Sequence, residues 1–253
     1  MKGTTMNHQT TEGLIRLRLD AMAAALEHQR SSTQFHDLSF EDRFAMLVQA
    51  ELTERENKRL TRLLKSAKLR SHAVVEDIDF TTPRGLKKSE VLALAQGEWV
   101  ERHHNLAIVG PTGVGKTFLA CALADAAIRH GHSALYLRGS RMVEELAIAR
   151  GDGRLARLMT SWAKVEVLVI DDFLIRPLNA EQTADTLEVI EDRSGLRSTI
   201  ITSQLPVAHW HEGLGDATLA DALLDRLSQN LHRIEVKGDS MRQSSPKKER
   251  VRS

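Results

Sequence analysis

GPTGVGKT, residues 110–117, follows the apolar run LAIV and opens the long helical stretch TFLACALADAAIRHG. Gly110, Gly115, Lys116 and Thr117 match GxxxxGK[ST] in the strand-to-helix context that this spacing needs. Glycines lack a Cβ, so the backbone can wrap closely around a phosphate with consecutive N–H groups turned inward, and the helix that follows adds its positive end. The spacing predicts that Lys116 reaches the β and γ phosphates of a nucleotide and that Thr117 gives its hydroxyl to Mg²⁺. The candidate nucleotide-binding stretch is Gly110, Pro111, Thr112, Gly113, Val114, Gly115, Lys116, Thr117 and Phe118.

A phosphate loop of this kind needs an acid at the end of a neighbouring buried strand, and VEVLVIDDF supplies one. Asp171 is expected at the carboxyl edge of the sheet, in the magnesium shell. Asp172 is placed to orient or deprotonate a water that attacks the γ phosphate. A further strand, STIITSQLP, ends in Thr202, Ser203 and Gln204, polar groups that either sense the phosphate or terminate the strand before Pro206.

Outward from these motifs the chain alternates apolar runs (LAIV, SALYL, VEVLVI, STIITS) with helical stretches. That order predicts an α/β fold with a parallel sheet covered by helices, and uninterrupted apolar strands suit burial on both faces. The N-terminal part reads as all-helical. Ile15, Leu19, Met22 and Leu26 mark a helix over 11–30, Ser39 and Asp42 have capping-box spacing, and a further helical run reaches Arg70. Pro83 and Gly85 interrupt the helical period, so the expected organisation is a helical domain over 1–75, a linker over 76–95, the α/β domain over 96–243 and a basic tail over 244–253. The composition of the 253 residues, 42% hydrophobic and 27% charged, excludes disordered and fibrous classes. No apolar run is long enough to span a membrane, and with a single cysteine, Cys121, the expected compartment is the cytoplasm.

Net charge is only +1, so distribution has to indicate partners. Arg55, Lys58, Arg59, Arg62, Lys65 and Lys68 fall on one broad helix face, and Glu56 is the one acid between Arg55 and Arg70. The face is either solvated surface or a ridge that contacts nucleic-acid phosphates. His209 and His211 lack a third ligand at zinc spacing. His103 and His104, just before the phosphate strand, are candidates for the wall of an adenine pocket.

The loop, the DD strand end, TSQLP, LLDRL and GDSMR, in this order, resemble the IstB-like ATP-binding proteins, helper ATPases of bacterial insertion sequences within the AAA+ class and similar to DnaC-type helicase loaders. The resemblance extends to SFEDRFAMLVQAELTERENKRLTRLLKSAKLR and EDIDFTTPRGL, so it covers nearly the whole chain. It implies a γ-phosphate sensor at Ser203 or Gln204, an arginine finger for a neighbouring subunit at Arg226, and a second, same-chain sensor at Arg242. It further implies slow ATP hydrolysis stimulated by DNA or a partner, ATP-dependent self-association on duplex DNA, recruitment of a cognate transposase, and a bacterial cytoplasmic setting. Two departures stand out: Asp172 is where many AAA+ proteins have Glu, and DDFLIRPL replaces a DD-Trp-Gly continuation. A replicative helicase loader shares the same chemistry. A small-molecule kinase would need an arginine-rich lid, and a nucleotide-gated scaffold would assemble without releasing phosphate.

Overall fold

The computed structural model describes residues 2–241, with side chains from His8 onward. The chain forms two compact units, Met1–Arg62 and Leu63–Ser253. No helix among the described residues is long and apolar enough to cross a membrane.

The first unit contains α1 (Lys2–Arg16), α2 (Asp20–Ser31), a 3-10 turn at Thr33–Phe35 and the greater part of α3 (Phe40–Ala67). The single helix expected over 11–30 is two helices. Arg18 adopts φ 59, and the amides of Arg18 and Leu19 bond back to the carbonyls of Ile15 and Leu14 at 2.9 Å each. One left-handed residue reverses the chain without disturbing apolar spacing, so periodicity alone does not reveal it. The start of α2 has no side-chain cap of its own. Instead buried Glu51 of α3 accepts from the amides of Ala21 and Met22 at 3.1 Å each, satisfying orphan donors and placing a negative charge at the helix's positive end.

The two helical runs expected after Ser39 are one helix of 28 residues, since neither glycine nor proline interrupts them. Ser39 caps it: its Oγ accepts from the Asp42 amide at 3.1 Å and donates to the Asp42 carboxylate at 2.7 Å.

In the second unit, α4 (Lys88–Ala95) and the short α5 (Glu98–Glu101) precede β1 (Asn105–Val109) and α6 (Lys116–Arg129). β2 (Ala134–Arg138), α7 (Gly139–Gly151), α8 (Leu155–Ala163), β3 (Val167–Phe173), α9 (Ala180–Glu191), β4 (Ser198–Ser203), α10 (Ala217–Ser228) and β5 (Leu231–Glu235) follow. All five strands are parallel, in the order β2-β3-β4-β1-β5. β1, β3 and β4 are central, which explains why LAIV and VLVI are continuously apolar and why these runs and STIITS are almost fully buried. β5 escapes the sequence reading because an edge strand needs burial on fewer sides, and LHRIE buries only Ile234. The stretch 76–95, expected as a linker, includes α4 and buries Ile78, Arg84, Val91 and Leu94.

Arg193 holds the amino edge of this sheet together from within. It is 1% exposed, and its guanidinium donates to the carbonyls of Trp162 (2.6 Å), Val165 (2.8 Å) and Ser198 and to Thr199 Oγ1 (3.2 Å). Those groups lie at the end of α8, just after it, and at the start of β4. A planar fork with five donors suits a buried cluster of carbonyls.

Candidate functional site

The site is built at the carboxyl edge of β1, β3, β4 and β2. Where β1 ends, the backbone turns through Gly110 at φ 150, and a Cβ there would collide with the Val236 carbonyl, so this position requires glycine. Gly115, left-handed at φ 101, caps α6. Lys116 is buried at the first turn of α6, and its Nζ donates to the Pro111 carbonyl across the loop at 2.8 Å. The segment after β5 lies against the same loop: the Val236 amide donates to Val109 O at 2.8 Å and the Met241 amide to Gly113 O at 3.0 Å.

Asp171 is fully buried at the end of β3, with three hydroxyls turned toward its carboxylate. Thr117 Oγ1 lies 2.8 Å from Oδ1, Thr202 Oγ1 lies 2.6 Å from Oδ1, and the Tyr136 phenol lies 2.6 Å from Oδ2. An Arg70 guanidinium nitrogen stands 3.5 Å from Oδ2. A buried carboxylate is tolerable when its lone pairs are met in this way. Burial, followed by the bond to Asp171, pushes the Tyr136 phenol well above its ordinary range, so it stays a donor at neutral pH. Thr117 and Asp171 are the pair that could hold a magnesium ion: both offer hard oxygens, and both sit at the mouth of the glycine loop.

Asp172 occupies a β-bulge. Ile170 pairs with Ile201 and Phe173 with Ser203, so two residues of β3 face one of β4, and Asp172 takes φ 56. The extra residue turns the strand end, and Asp is among the few side chains that tolerate this conformation. The Asp172 amide donates to Thr202 Oγ1 at 3.0 Å. Its carboxylate meets Arg138 at 3.0 Å and stands 4.0 Å from Arg70.

The structure thus brings together the loop, Thr117, Asp171 and Asp172, and it adds Thr202, Tyr136, Arg138 and Arg70. Of the strand-end residues, Thr202 bonds to Asp171, whereas the Ser203 hydroxyl is occupied by Phe173 O (2.9 Å) and the Leu205 amide (3.1 Å). Gln204 is exposed. Tyr136 and Arg138 could have been found by counting register, since Arg138 pairs with Asp171 across β2 and β3. Arg70 has no such signal.

Other expected residues lie elsewhere. Asn105 opens β1, so His103 and His104 sit at the amino edge of the sheet, a strand length of about 16 Å from the phosphate loop, and not in a nucleotide pocket beside it. His104 Nδ1 instead meets His232 Nε2 at 3.0 Å. Arg226 sits near the end of α10, ion-paired to Glu191 at 3.1 Å. α10 leads into Leu231, which pairs with Asn105, so Arg226 is also toward the amino edge, away from its own chain's loop. Arg242 lies outside the described residues, directly after Met241.

On α3 and just after it, Arg55, Lys58, Arg59, Arg62, Lys65 and Lys68 are all exposed. Two of them are compensated by acids that precede the basic run: Arg55 pairs with Glu51 at 2.8 Å and Lys58 with Glu54 at 3.2 Å.

Thr202 links the two acids, and this arrangement is testable. Thr202→Val leaves a buried carboxylate lone pair and the Asp172 amide unpartnered, which is expected to cost about 2 kcal/mol in urea unfolding, whereas Thr202→Ser keeps most of the stability. Equal stability of the two variants would contradict the assigned bonds.

Comparison with known proteins places the chain in a family. The family model of the IstB-like ATP binding protein matches residues 12–249. The chain is 45% identical over 241 residues to y4pL of Sinorhizobium fredii, described as a putative insertion sequence ATP-binding protein, covering 95% of this chain and 98% of the relative. It is 48% identical over 202 residues to the corresponding protein of insertion sequence IS1162 from Pseudomonas fluorescens, covering 79% and 87%. Among solved structures, a DnaC helicase loader superposes with a TM-score of 0.57 at 21% identity, covering 68% of this chain and all of that one. At that identity the likeness concerns the fold, which is that of AAA+ domains. With the matched family model spanning the helical region and the α/β core alike, the chain belongs to the IstB-like ATP-binding protein family.

Proposed function

We propose that this chain is an ATP-dependent DNA-binding ATPase that assembles on duplex DNA in the bacterial cytoplasm and helps a partner transposase capture target DNA. The observation that carries the reading is the meeting of Thr117 and Asp171, 2.8 Å apart at the mouth of a glycine-built loop, in a chain whose relatives belong to insertion sequences. Identity of 45% and 48% to those relatives, over 95% and 79% of the chain, favours this role over helicase loading, for which the support is a shared fold at 21% identity.

In this reading the loop amides and Lys116 hold the β and γ phosphates of ATP. Thr117 and Asp171 would hold a magnesium ion, which would supply charge neutralisation at the phosphates. Asp172 orients the attacking water and receives its proton, while the bond between the γ phosphorus and the bridging oxygen of ADP breaks. Gln204, exposed at the end of β4, is better placed than Ser203 to sense the γ phosphate, and Arg242, outside the described residues, would serve as the second sensor. Arg226, facing away from its own loop, suits a role at a neighbouring subunit's nucleotide. The site would then be completed only between subunits, linking nucleotide state to assembly. The helical N-terminal domain, residues 1–75, supplies the DNA ridge, the stretch 76–95 joins it to the ATPase domain at 96–243, and the basic tail at 244–253 lies outside the described residues.

Lys116→Ala is expected to abolish ATP binding and ATP-dependent assembly on duplex DNA together, read by nucleotide binding and by electron microscopy. ATP-dependent assemblies persisting in that variant would overturn the mechanism. Along the ridge, replacing Arg62, Lys65 or Lys68 by Gln should weaken DNA binding and flatten the slope of log K against log salt by roughly 0.9 for each phosphate that is no longer neutralised. Lys58→Gln should have a smaller effect, since Glu54 already compensates Lys58. An unchanged salt slope in all four variants would leave the face as solvated surface.

A further inference from the structure

Arg84 lies behind the phosphate loop and is 6% exposed. Its Nη1 donates to the Val114 carbonyl at 2.9 Å, its Nη2 bonds to the Asp79 carbonyl, and its Nε finds no partner among the described residues. A Cβ on Gly115 would come within 2.9 Å of the same Nη1, so the guanidinium touches the turn that starts α6. No carboxylate among the described residues forms an ion pair with it. Asp79 offers Arg84 only its main-chain oxygen, because the Asp79 carboxylate is occupied by the hydroxyls and amides of Thr81 and Thr82, bonds that hold it far below the usual carboxylate range.

Arg84 itself is fixed from the other side. The Lys237 amide donates to the Arg84 carbonyl at 2.8 Å, one residue after Val236 has bonded to the end of β1. The strand extension after β5 therefore fixes the main chain of Arg84, while its guanidinium bridges the Asp79 carbonyl and the loop carbonyl of Val114.

A buried guanidinium without a counter-ion is costly, and such groups are normally paired. The molecule's other deeply buried arginine, Arg193, shows the alternative. Carbonyls use its fork at the opposite edge of the sheet. At Arg84 the fork is only partly used, and the adjoining backbone is a glycine turn whose amides face a phosphate when the loop binds one. The bond to Val114 O also orients the Val114–Gly115 peptide: with the carbonyl drawn back to Arg84, the Gly115 amide points the other way, into the loop.

We propose that Arg84 is a positioning residue for nucleotide binding. It sets the Val114–Gly115 peptide and supplies a buried positive charge whose counter-ion is the bound polyphosphate. The inference rests on the reading of the loop as an ATP site and deepens it, assigning part of the affinity to a side chain outside the phosphate-loop motif.

The test compares Arg84→Gln and Arg84→Lys with the wild-type full-length protein, measuring affinity for a fluorescent ATP analogue and the melting temperature with and without nucleotide. Arg84→Gln should bind the analogue about tenfold more weakly, through loss of the buried charge and of the bond that orients the Val114–Gly115 peptide. Its nucleotide-free melting temperature should stay at or above the wild-type value, because an uncompensated charge has been removed. Arg84→Lys, which keeps the charge, should recover most of the affinity. Binding by Arg84→Gln at the wild-type level would overturn the proposal. So would a large fall in nucleotide-free melting temperature with the nucleotide-induced increment intact, the signature of a purely structural arginine. Failure of the wild type itself to bind the analogue would instead remove the ATP reading, and this proposal with it.

Discussion

The carboxylate of Asp171 is the constraint on which the rest of the site depends. It is fully buried, so each lone pair needs a donor, and the donors come from four separate places in the chain: Thr117 on α6, Thr202 on β4, Tyr136 on β2 and Arg70 beyond α3. Satisfying one acid therefore fixes the relative positions of the phosphate loop, three strand ends and the segment after the long helix. A charge placed in water would impose none of this. The cost of burying it is what makes the surrounding geometry specific.

The same constraint explains the bulge. If β3 kept register with β4 to its end, Asp171 and Asp172 would point to opposite faces in the ordinary alternation. The extra residue opposite Thr202 lets a single hydroxyl donate to Asp171 and accept from the amide of Asp172. Asp172 consequently adopts a left-handed conformation beside Arg138 and Arg70. Unfavourable backbone conformations held by their surroundings cluster where a side chain must be aimed, and Asp172 fits that pattern.

Much of this is legible in the sequence, for identifiable reasons. The loop is written in residue types that few other purposes demand, and buried parallel strands leave mostly apolar runs, so LAIV, VLVI and STIITS place Gly110, Asp171 and Thr202 at one edge of the sheet. What escapes depends on interactions between distant segments. Glu51 capping α2, Arg70 reaching Asp171 and Arg84 supporting Val114 each join residues with no shared local pattern. β5 is hidden because its edge position relaxes the apolar requirement. The left-handed turn at Arg18 is hidden because an arginine there carries no turn signal. His103 and His104 mislead for another reason: nearness in sequence to the start of β1 is distance from its end, and in a parallel sheet the ends do the chemistry.

If the buried carboxylate is the metal-binding half of the site, its role can be isolated from phosphate binding by the loop. The direct measurement is calorimetric titration of ATP into wild type and Asp171→Asn, each with magnesium and with a chelator. Wild type should gain affinity from the metal, while Asp171→Asn should retain the metal-free affinity given by the loop and Lys116 and lose the metal-dependent increment. An undiminished magnesium increment in Asp171→Asn would contradict the account.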